Sequence, residues 1–365
     1  MDRFSEVSPF PYQGPLKPAA VRGRDQLLDD LVDRVTARRV TALVGPRRYG
    51  KTSVLHRLAS ELPELSLVWA DLYEVTSTAD LVLRLDQALA AAPGSFAAAS
   101  RTIAASLQIS LGIARVEFAR PARQQPHPAA KLSALLEVLV RTARSTPTLL
   151  IIDEFSSIAA VNGGAGALRT ALQHHYTELG IVFAGSKPSM MRKLFGDRVE
   201  PFYAQADLVD IPALDAAAVT EVVTAGFTDT GRDPGILAGP LLAFTGGHPQ
   251  RTMQLADSAW HRTPPGEAVD ERRWEQALED VRAASGEGME RLFSHFDASQ
   301  RAVLRIVASG GSLYGRSARV LELASSSAAN AKSALLADGD LVEESGGLIV
   351  TDPLLGDWLR TTLPL

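Results

Sequence analysis

The sequence predicts an α/β fold, a parallel sheet flanked by helices, followed by a helical unit and a small C-terminal unit of helices and a hairpin. Three observations predict it. Strand-like apolar runs alternate with helical patterns from residue 40 to residue 211, the rhythm of βα units. The first of these runs, 40–44, passes through a glycine-bounded loop directly into a helical pattern from Val54. Beyond Pro212 the periodicity is helical until two short apolar runs meet around Gly346 and Gly347.

That first loop reads Gly45-Pro46-Arg47-Arg48-Tyr49-Gly50-Lys51-Thr52-Ser53 and fits the pattern G-x-x-x-x-G-K-[ST] in its strand–loop–helix setting. Gly45 and Gly50 permit backbone conformations closed to residues with a Cβ. Successive N–H groups of such a loop converge on phosphate oxygens, and the helix behind it presents its positive end to the same anion. Lys51 is a mobile charge for the β- and γ-phosphates, and the Thr52 hydroxyl is a ligand for Mg²⁺. A P-loop that binds a nucleoside triphosphate, with Mg²⁺, is therefore expected over 45–53.

Composition sets bounds. With 365 residues and 46% hydrophobic content the chain is long enough for two or three domains with buried cores. A formal charge of −5 argues against a surface that binds nucleic acid throughout, so any such contact is a local patch. The absence of cysteine excludes disulfides, thiolate metal sites and cysteine nucleophiles. The first residues lack a signal-peptide pattern, and no apolar run is long enough to span a membrane, which leads to the expectation of a cytoplasmic protein.

Taken in order, residues 1–20 carry four prolines (Pro9, Pro11, Pro15, Pro18) and read as an extended lead-in. Helices are expected over 25–35, over 51–61 and over 81–91, the last capped by Thr76 or Ser77, with a strand at 65–70. Residues 92–128 read as an inserted helix and hairpin. A helix at 131–144 feeds the run 148–152, which ends in Asp153 and Glu154. A continuous apolar run closed by two acids is the pattern of a buried parallel strand with its active end at the carboxyl edge, the Walker B pattern. Asp153 is expected to hold Mg²⁺, directly or through water, and Glu154 to orient and polarise the attacking water. After a helix at 168–176, the strand 180–184 ends at Gly185-Ser186. There Ser186 either bonds the attacking water or a phosphate oxygen, or caps the helix at 189–195. A last strand, 207–211, precedes helices expected at 215–225, 235–245, 250–261, 271–285, 298–308, 317–323 and 326–337, a hairpin at 341–350 and a closing helix from Pro353.

With these residues stated, the chain resembles the AAA+/STAND branch of P-loop ATPases, and within it the archaeal-type ATPase family with a C-terminal winged helix. The resemblance spans most of residues 19–361. Val21-Arg-Gly-Arg24-Asp25 is similar to the family's F-x-G-R-[DE] box, which implies that Arg24 lies near the adenine. The loop 45–53 resembles the family's G-x-R-R-x-G-K-T-S, and Ile151-Ile-Asp-Glu-Phe155 its Walker B. Gly185-Ser186 resembles the sensor segment, and Gly246-Gly-His-Pro249 the turn of a lid that closes on the nucleotide, which places Pro249 among the binding residues. Asp352-Pro-Leu-Leu-Gly-Asp-Trp358 resembles the terminal D-P-x-x-x-x-W motif. The resemblance implies four parts: the lead-in (1–20), an α/β core (21–212), a helical lid (213–290) and a winged helix (291–365). One departure stands out. Where the family carries P-L-Y-G-R, this chain has Pro201-Phe-Tyr-Ala-Gln205. Gln205 cannot neutralise charge on a γ-phosphate, so turnover is expected to be slow unless Arg47, Arg48, Arg192, Arg198, Arg251 or a partner's arginine substitutes.

Three functions fit these residues. The leading one is an ATP-binding, slowly hydrolysing switch whose nucleotide state positions the winged helix for a protein partner or for self-association. The alternative is an ATP-regulated DNA-binding protein. Against it, the recognition-like helix carries one cation, Lys332, and the unit around it is close to neutral, a poor footprint for phosphates. A small-molecule kinase is the third, and the paired acids and separate lid count against it.

Overall fold

A computed structural model describes residues 7–99, 128–344 and 347–365. Its larger sheet has five parallel strands in the order β2-β3-β4-β1-β5. They are β1 (Thr41–Val44), β2 (Ser66–Asp71), β3 (Thr148–Asp153), β4 (Leu179–Gly185) and β5 (Asp207–Asp210). Strands β1, β3 and β4 are buried along their whole length, which is why their sequences are continuously apolar rather than alternating. Helices α1 (Asp25–Thr36), α2 (Lys51–Glu61), α3 (Thr78–Ala91), α4 (Pro128–Ala143), α5 (Gly164–Leu172) and α6 (Pro188–Gly196) cover the sheet, with separate apolar clusters on its two faces. Ser77 caps α3 through a reciprocal capping box with Asp80. Most of the insertion expected at 92–128 falls outside the described residues.

The strand order decides where the site lies. Strand β4 sits between β1 and β3, so its carboxyl end separates the loop after β1 from the acids after β3. The chain leaves β1 for β2 on one side and returns to pair β1 on the other, so all five strands point their carboxyl ends at one crevice.

The second half is helical: α7 (Ala216–Thr228), α8 (Ala238–Thr245), α9 (Pro249–His261), α10 (Glu271–Ser294), α11 (Ala298–Ala308), α12 (Arg316–Val320), α13 (Ser325–Asp338) and α14 (Pro353–Thr362), with an antiparallel pair β6 (Leu341–Glu344) and β7 (Gly347–Val350). One apolar cluster runs from Leu214 in the α7 region through Val281 and Met289 to Leu359 in α14.

Several bounds differ from expectation for identifiable reasons. Helix α10 runs to Ser294 rather than 285, past Gly286 and Gly288. Each glycine costs about 1 kcal/mol against alanine, and burial of Met289 and packing of Phe293 on Trp358 at 5.6 Å outweigh that. Helix α12 stops at Val320 rather than 323, because Glu322 takes a left-handed conformation at φ 52°. Helix α5 begins at Gly164, four residues before the expected start, and ends at Leu172.

Of the lead-in expected at 1–20, residues 7–17 carry no regular element, Pro18–Ala20 form a single 3-10 turn rather than extended chain, and the segment is not loose. Phe10 is buried against Phe227 at 5.6 Å, in a notch that exists only because residue 226 is glycine; a Cβ there would lie 2.3 Å from the Phe10 ring. The strap then touches both halves of the molecule. The Tyr12 carbonyl accepts a hydrogen bond from Gln250 Nε2 at 3.1 Å, and the Leu16 N–H donates to Ser53 Oγ at 2.9 Å.

Candidate nucleotide site

The loop between β1 and α2 is shaped by three backbone features. Gly45 passes so close to Ile211 that a Cβ would lie 2.2 Å from its Cγ2. Gly50 takes φ 85°, which allows α2 to start abruptly at Lys51. Arg48 also has positive φ, 68°, a conformation unusual for a residue with a side chain. Lys51 Nζ donates to the carbonyls of Gly45 and Pro46, each at 2.8 Å, tying the loop across its mouth. Burial lowers the Lys51 pKa to about 8, opposed by the nearby charges of Glu154 and Asp153. Glu154 lines the same cavity as Lys51.

The acids are held by their neighbours. Thr52 Oγ1 donates to Asp153 Oδ2 at 3.0 Å, and the Glu154 N–H donates to Asp153 Oδ1 at 2.9 Å. Burial nevertheless raises the Asp153 pKa to about 6. Glu154 has φ 51°, a left-handed conformation that costs about 1–3 kcal/mol in a residue with a side chain. It swings the carboxylate toward the tip of β4, where it accepts from the Ser186 N–H at 3.3 Å and from the Ser186 hydroxyl. Of the two roles expected for Ser186, capping of the following helix is not met. Lys187 is the N-cap of α6 with no side-chain cap bond, and Pro188 starts the helix.

A cavity of about 880 Å³ joins these parts. Arg47, Arg48, Tyr49, Gly50, Lys51, Thr52, Ser53, Glu154, Ser186, Arg24 and Pro249 all line it. Asp153 opens instead on an adjoining cavity of about 380 Å³ that Thr52 and Glu154 share. Gly45 and Pro46 line neither; their carbonyls hold Lys51. Hard oxygen donors from a hydroxyl and a carboxylate, 3.0 Å apart beside the phosphate loop, fit Mg²⁺, which binds through one or two protein oxygens and substrate phosphates. Arg24 is buried, its pKa lowered to about 10 by that burial, and its Nη2 has no partner among the described residues.

The far wall comes from the second half. His248, N-cap of α9, stands edge-on to Tyr49 at 5.1 Å, and burial lowers its pKa to about 4. Pro249 occupies the first helical position. Asp352 at the start of α14 is gripped by Arg251 in two bonds, Nε to Oδ1 at 2.9 Å and Nη2 to Oδ2 at 2.5 Å. Arg48 of the loop reaches the same Oδ2 at 3.5 Å. Sequence reasoning flagged Arg48, Arg251 and Asp352 separately and missed that they meet. It also missed the strap, whose only signal was Phe10, Tyr12 and Leu16 interleaved with prolines.

The arginine candidates separate. Arg251 is committed to Asp352, and Arg192 pairs with Asp210 at 2.7 Å. Arg47 and Arg48 line the cavity, while Arg198 and Gln205 do not.

Residues 34–193 match the family profile described as the AAA domain. That stretch is similar to AAA domains. The match spans less than half of the chain, and no curated protein matches it. Among solved structures, the Walker-type ATPase PABY2304 of Pyrococcus abyssi shares the fold over 96% of this chain and 99% of its own, at 17% identity and a TM-score of 0.67. The ORC1 protein of Aeropyrum pernix, solved with DNA, aligns over 94% and 93% at 13% identity and a TM-score of 0.49. The RuvB branch migration motor of Thermotoga maritima aligns over 93% and 96% at 15% identity and a TM-score of 0.47. At these identities the first likeness shows the fold alone, and the last two carry no argument. The strap, the α9 wall and Asp352 lie outside the matched AAA domain, so the cavity is built only where that domain meets the rest of the chain. No described helix is long and apolar enough to cross a membrane.

Proposed function

We propose that the chain is a Mg·ATP-dependent switch in which hydrolysis is slow and nucleotide state sets the position of the C-terminal unit, read as a winged helix over 291–365 behind a lid over 213–290. Lys51 and the loop N–H groups hold the triphosphate; Thr52 and Asp153 hold Mg²⁺, which supplies charge neutralisation at the phosphates. Glu154 accepts a proton from the attacking water, and Ser186 fixes its carboxylate for that task.

The observation that carries the switch is the Asp352 carboxylate shared by Arg48 of the phosphate loop and Arg251 of α9. A triphosphate is a stronger anion than one carboxylate and competes for Arg48 at close range. Binding therefore loosens the tie between the loop and α14, and product release restores it. The opposite side of the C-terminal unit is tied to the end of β4: Lys187 pairs with Asp338 at 2.8 Å and Ser189 Oγ donates to the Leu336 carbonyl at 3.0 Å. Both ties end beside the residues that do the chemistry. An intramolecular role for α13 is supported further by Lys332, its one cation, which pairs with Glu343 at 2.7 Å and so offers little to DNA.

Asp352→Asn tests the coupling. Asparagine still caps α14, where Asp352 Oδ1 accepts from the Leu354 N–H, but it removes the charge that both arginines share. Amide hydrogen exchange in 353–362 is expected to rise severalfold without nucleotide, and ATP affinity to increase about tenfold as Arg48 is freed, a difference near 1.4 kcal/mol. Unchanged exchange together with unchanged affinity would sink the coupling and leave an ATPase with a passive C-terminal unit.

A further inference from the structure

Hydrolysis makes a demand that binding does not. The water oxygen bonds to the γ-phosphorus while the bond from that phosphorus to the bridging oxygen breaks. The electron pair of the broken bond stays on the departing diphosphate, and the water proton goes to Glu154. Negative charge shifts among the oxygens around the phosphorus as this happens. A cation that reaches the charge as it develops raises the rate more than it tightens binding. Lys51 meets the phosphates throughout, so the charge that develops calls for a second cation.

The arginines near the site differ in their freedom to supply it. Arg251 is committed to Asp352, Arg192 pairs with Asp210, and Arg198 does not line the cavity. Arg48 lines it but reaches Asp352 at 3.5 Å. Arg47 is exposed, lines the cavity, and makes no ion pair or hydrogen bond among the described residues. Its guanidinium lies over the ring of Tyr73 instead, 5.8 Å from the centroid. Side chains 47 and 48 thus reach different walls, one toward the end of β2 and the other toward α14.

The Tyr73 perch is anchored on both sides. Its N–H donates to Asp71 Oδ1 at 2.9 Å, at the end of β2, and its carbonyl accepts from Arg84 Nη2 of α3 at 3.1 Å. Tyr73 borders the larger cavity and the smaller one, as do Thr52 and Glu154. The ring that carries the guanidinium therefore stands at the seam where the Thr52 hydroxyl and the Glu154 carboxylate also meet. Burial sets the direction of the pKa shifts at Lys51 and Asp340, and the Arg47 charge acts on both. The guanidinium is within electrostatic reach of the loop lysine. Contact with a ring face uses no N–H donor, so the whole fork is left for phosphate oxygens.

We infer that Arg47 is the catalytic arginine of this chain, supplied in cis: its fork meets the γ-phosphate as charge develops there, and Tyr73 is the residue that positions it. This rests on the nucleotide reading above and adds to it the group that meets the transition-state charge.

Single-turnover hydrolysis of labelled ATP, with affinity measured separately by titration calorimetry, tests both roles. Arg47→Ala should bind ATP within about tenfold of wild type and hydrolyse it at least about a hundredfold more slowly. Retained binding shows that the variant is folded. Tyr73→Leu should slow hydrolysis about fivefold with ATP affinity unchanged, and Tyr73→Phe, which keeps the ring face, should recover most of that loss. The wild-type rate should not depend on protein concentration. A rate that climbs with concentration gives the role to a partner's arginine and overturns the assignment in cis. Hydrolysis by Arg47→Ala within about threefold of wild type, or a wild-type protein that binds ATP without hydrolysing it, overturns the catalytic role. An unchanged rate in Tyr73→Leu overturns the positioning role. Failure of the wild-type protein to bind ATP overturns the nucleotide reading and this assignment with it.

Discussion

Replacing Lys51 by alanine is expected to lower ATP affinity roughly a thousandfold. The ammonium is buried at the loop and donates to two of its carbonyls. A unit charge about 4 Å from a phosphate is worth on the order of 4 kcal/mol at the effective dielectric of such a site. The substitution also leaves the Gly45 and Pro46 carbonyls without their donor, so thermal unfolding of the variant separates loss of binding from loss of fold. The same lysine sets a pH dependence. Its pKa is lowered to about 8 by burial, so the free protein loses this charge as pH rises through about 8, and ATP affinity should decline over that range. Calorimetric binding within threefold of wild type in Lys51→Ala would remove the lysine from the phosphate site.

Glu154→Gln is expected to bind ATP as the wild type does and to hydrolyse it at least a hundredfold more slowly. Glutamine keeps the size and can still accept from the Ser186 hydroxyl, but it cannot take a proton, and general-base contributions lie at about 10²–10⁴. The strained backbone at Glu154 supports this role, because the left-handed turn is what brings its carboxylate to the end of β4 instead of leaving it beside Asp153. The wild-type rate is itself expected to be low, below about one per second, since Arg251 and Arg192 are paired with Asp352 and Asp210 and Arg198 lies outside the cavity, which leaves few arginines to meet transition-state charge. Single-turnover hydrolysis of labelled ATP measures both. Normal hydrolysis by Glu154→Gln would give the proton to another group.

Much of this site is legible in the sequence alone, for a physical reason. The phosphate loop and the acid pair are local: each is a short segment whose chemistry and backbone freedom are written in adjacent residues, and each ends a buried strand whose apolar run is easy to see. Strand order was less accessible. Nothing in the run 180–184 says that β4 lies between β1 and β3, yet that order is what sets Ser186 against Glu154 rather than at the cap of α6. The tie of Asp352 to Arg48 and Arg251 spans the chain, and no local pattern couples an acid near residue 350 to a loop near 48. Helix α10 continues past 285 through Gly286 and Gly288, where local propensity disfavours a helix. Only tertiary burial of Met289 and Phe293 carries the helix through them. The strap was invisible for the opposite reason: prolines suppress periodicity, so a segment that buries Phe10 looks like a loose leader.

A triphosphate held between the loop and the acid pair underlies every role given above. A crystal structure of the chain with Mg²⁺ and a non-hydrolysable ATP analogue tests it most directly. The expected density has the terminal phosphates at Lys51, the metal beside Thr52 and Asp153, and the base between the strap and α9. Density with the phosphates toward Asp338 and Asp340, or a nucleotide bound away from Lys51, would contradict it.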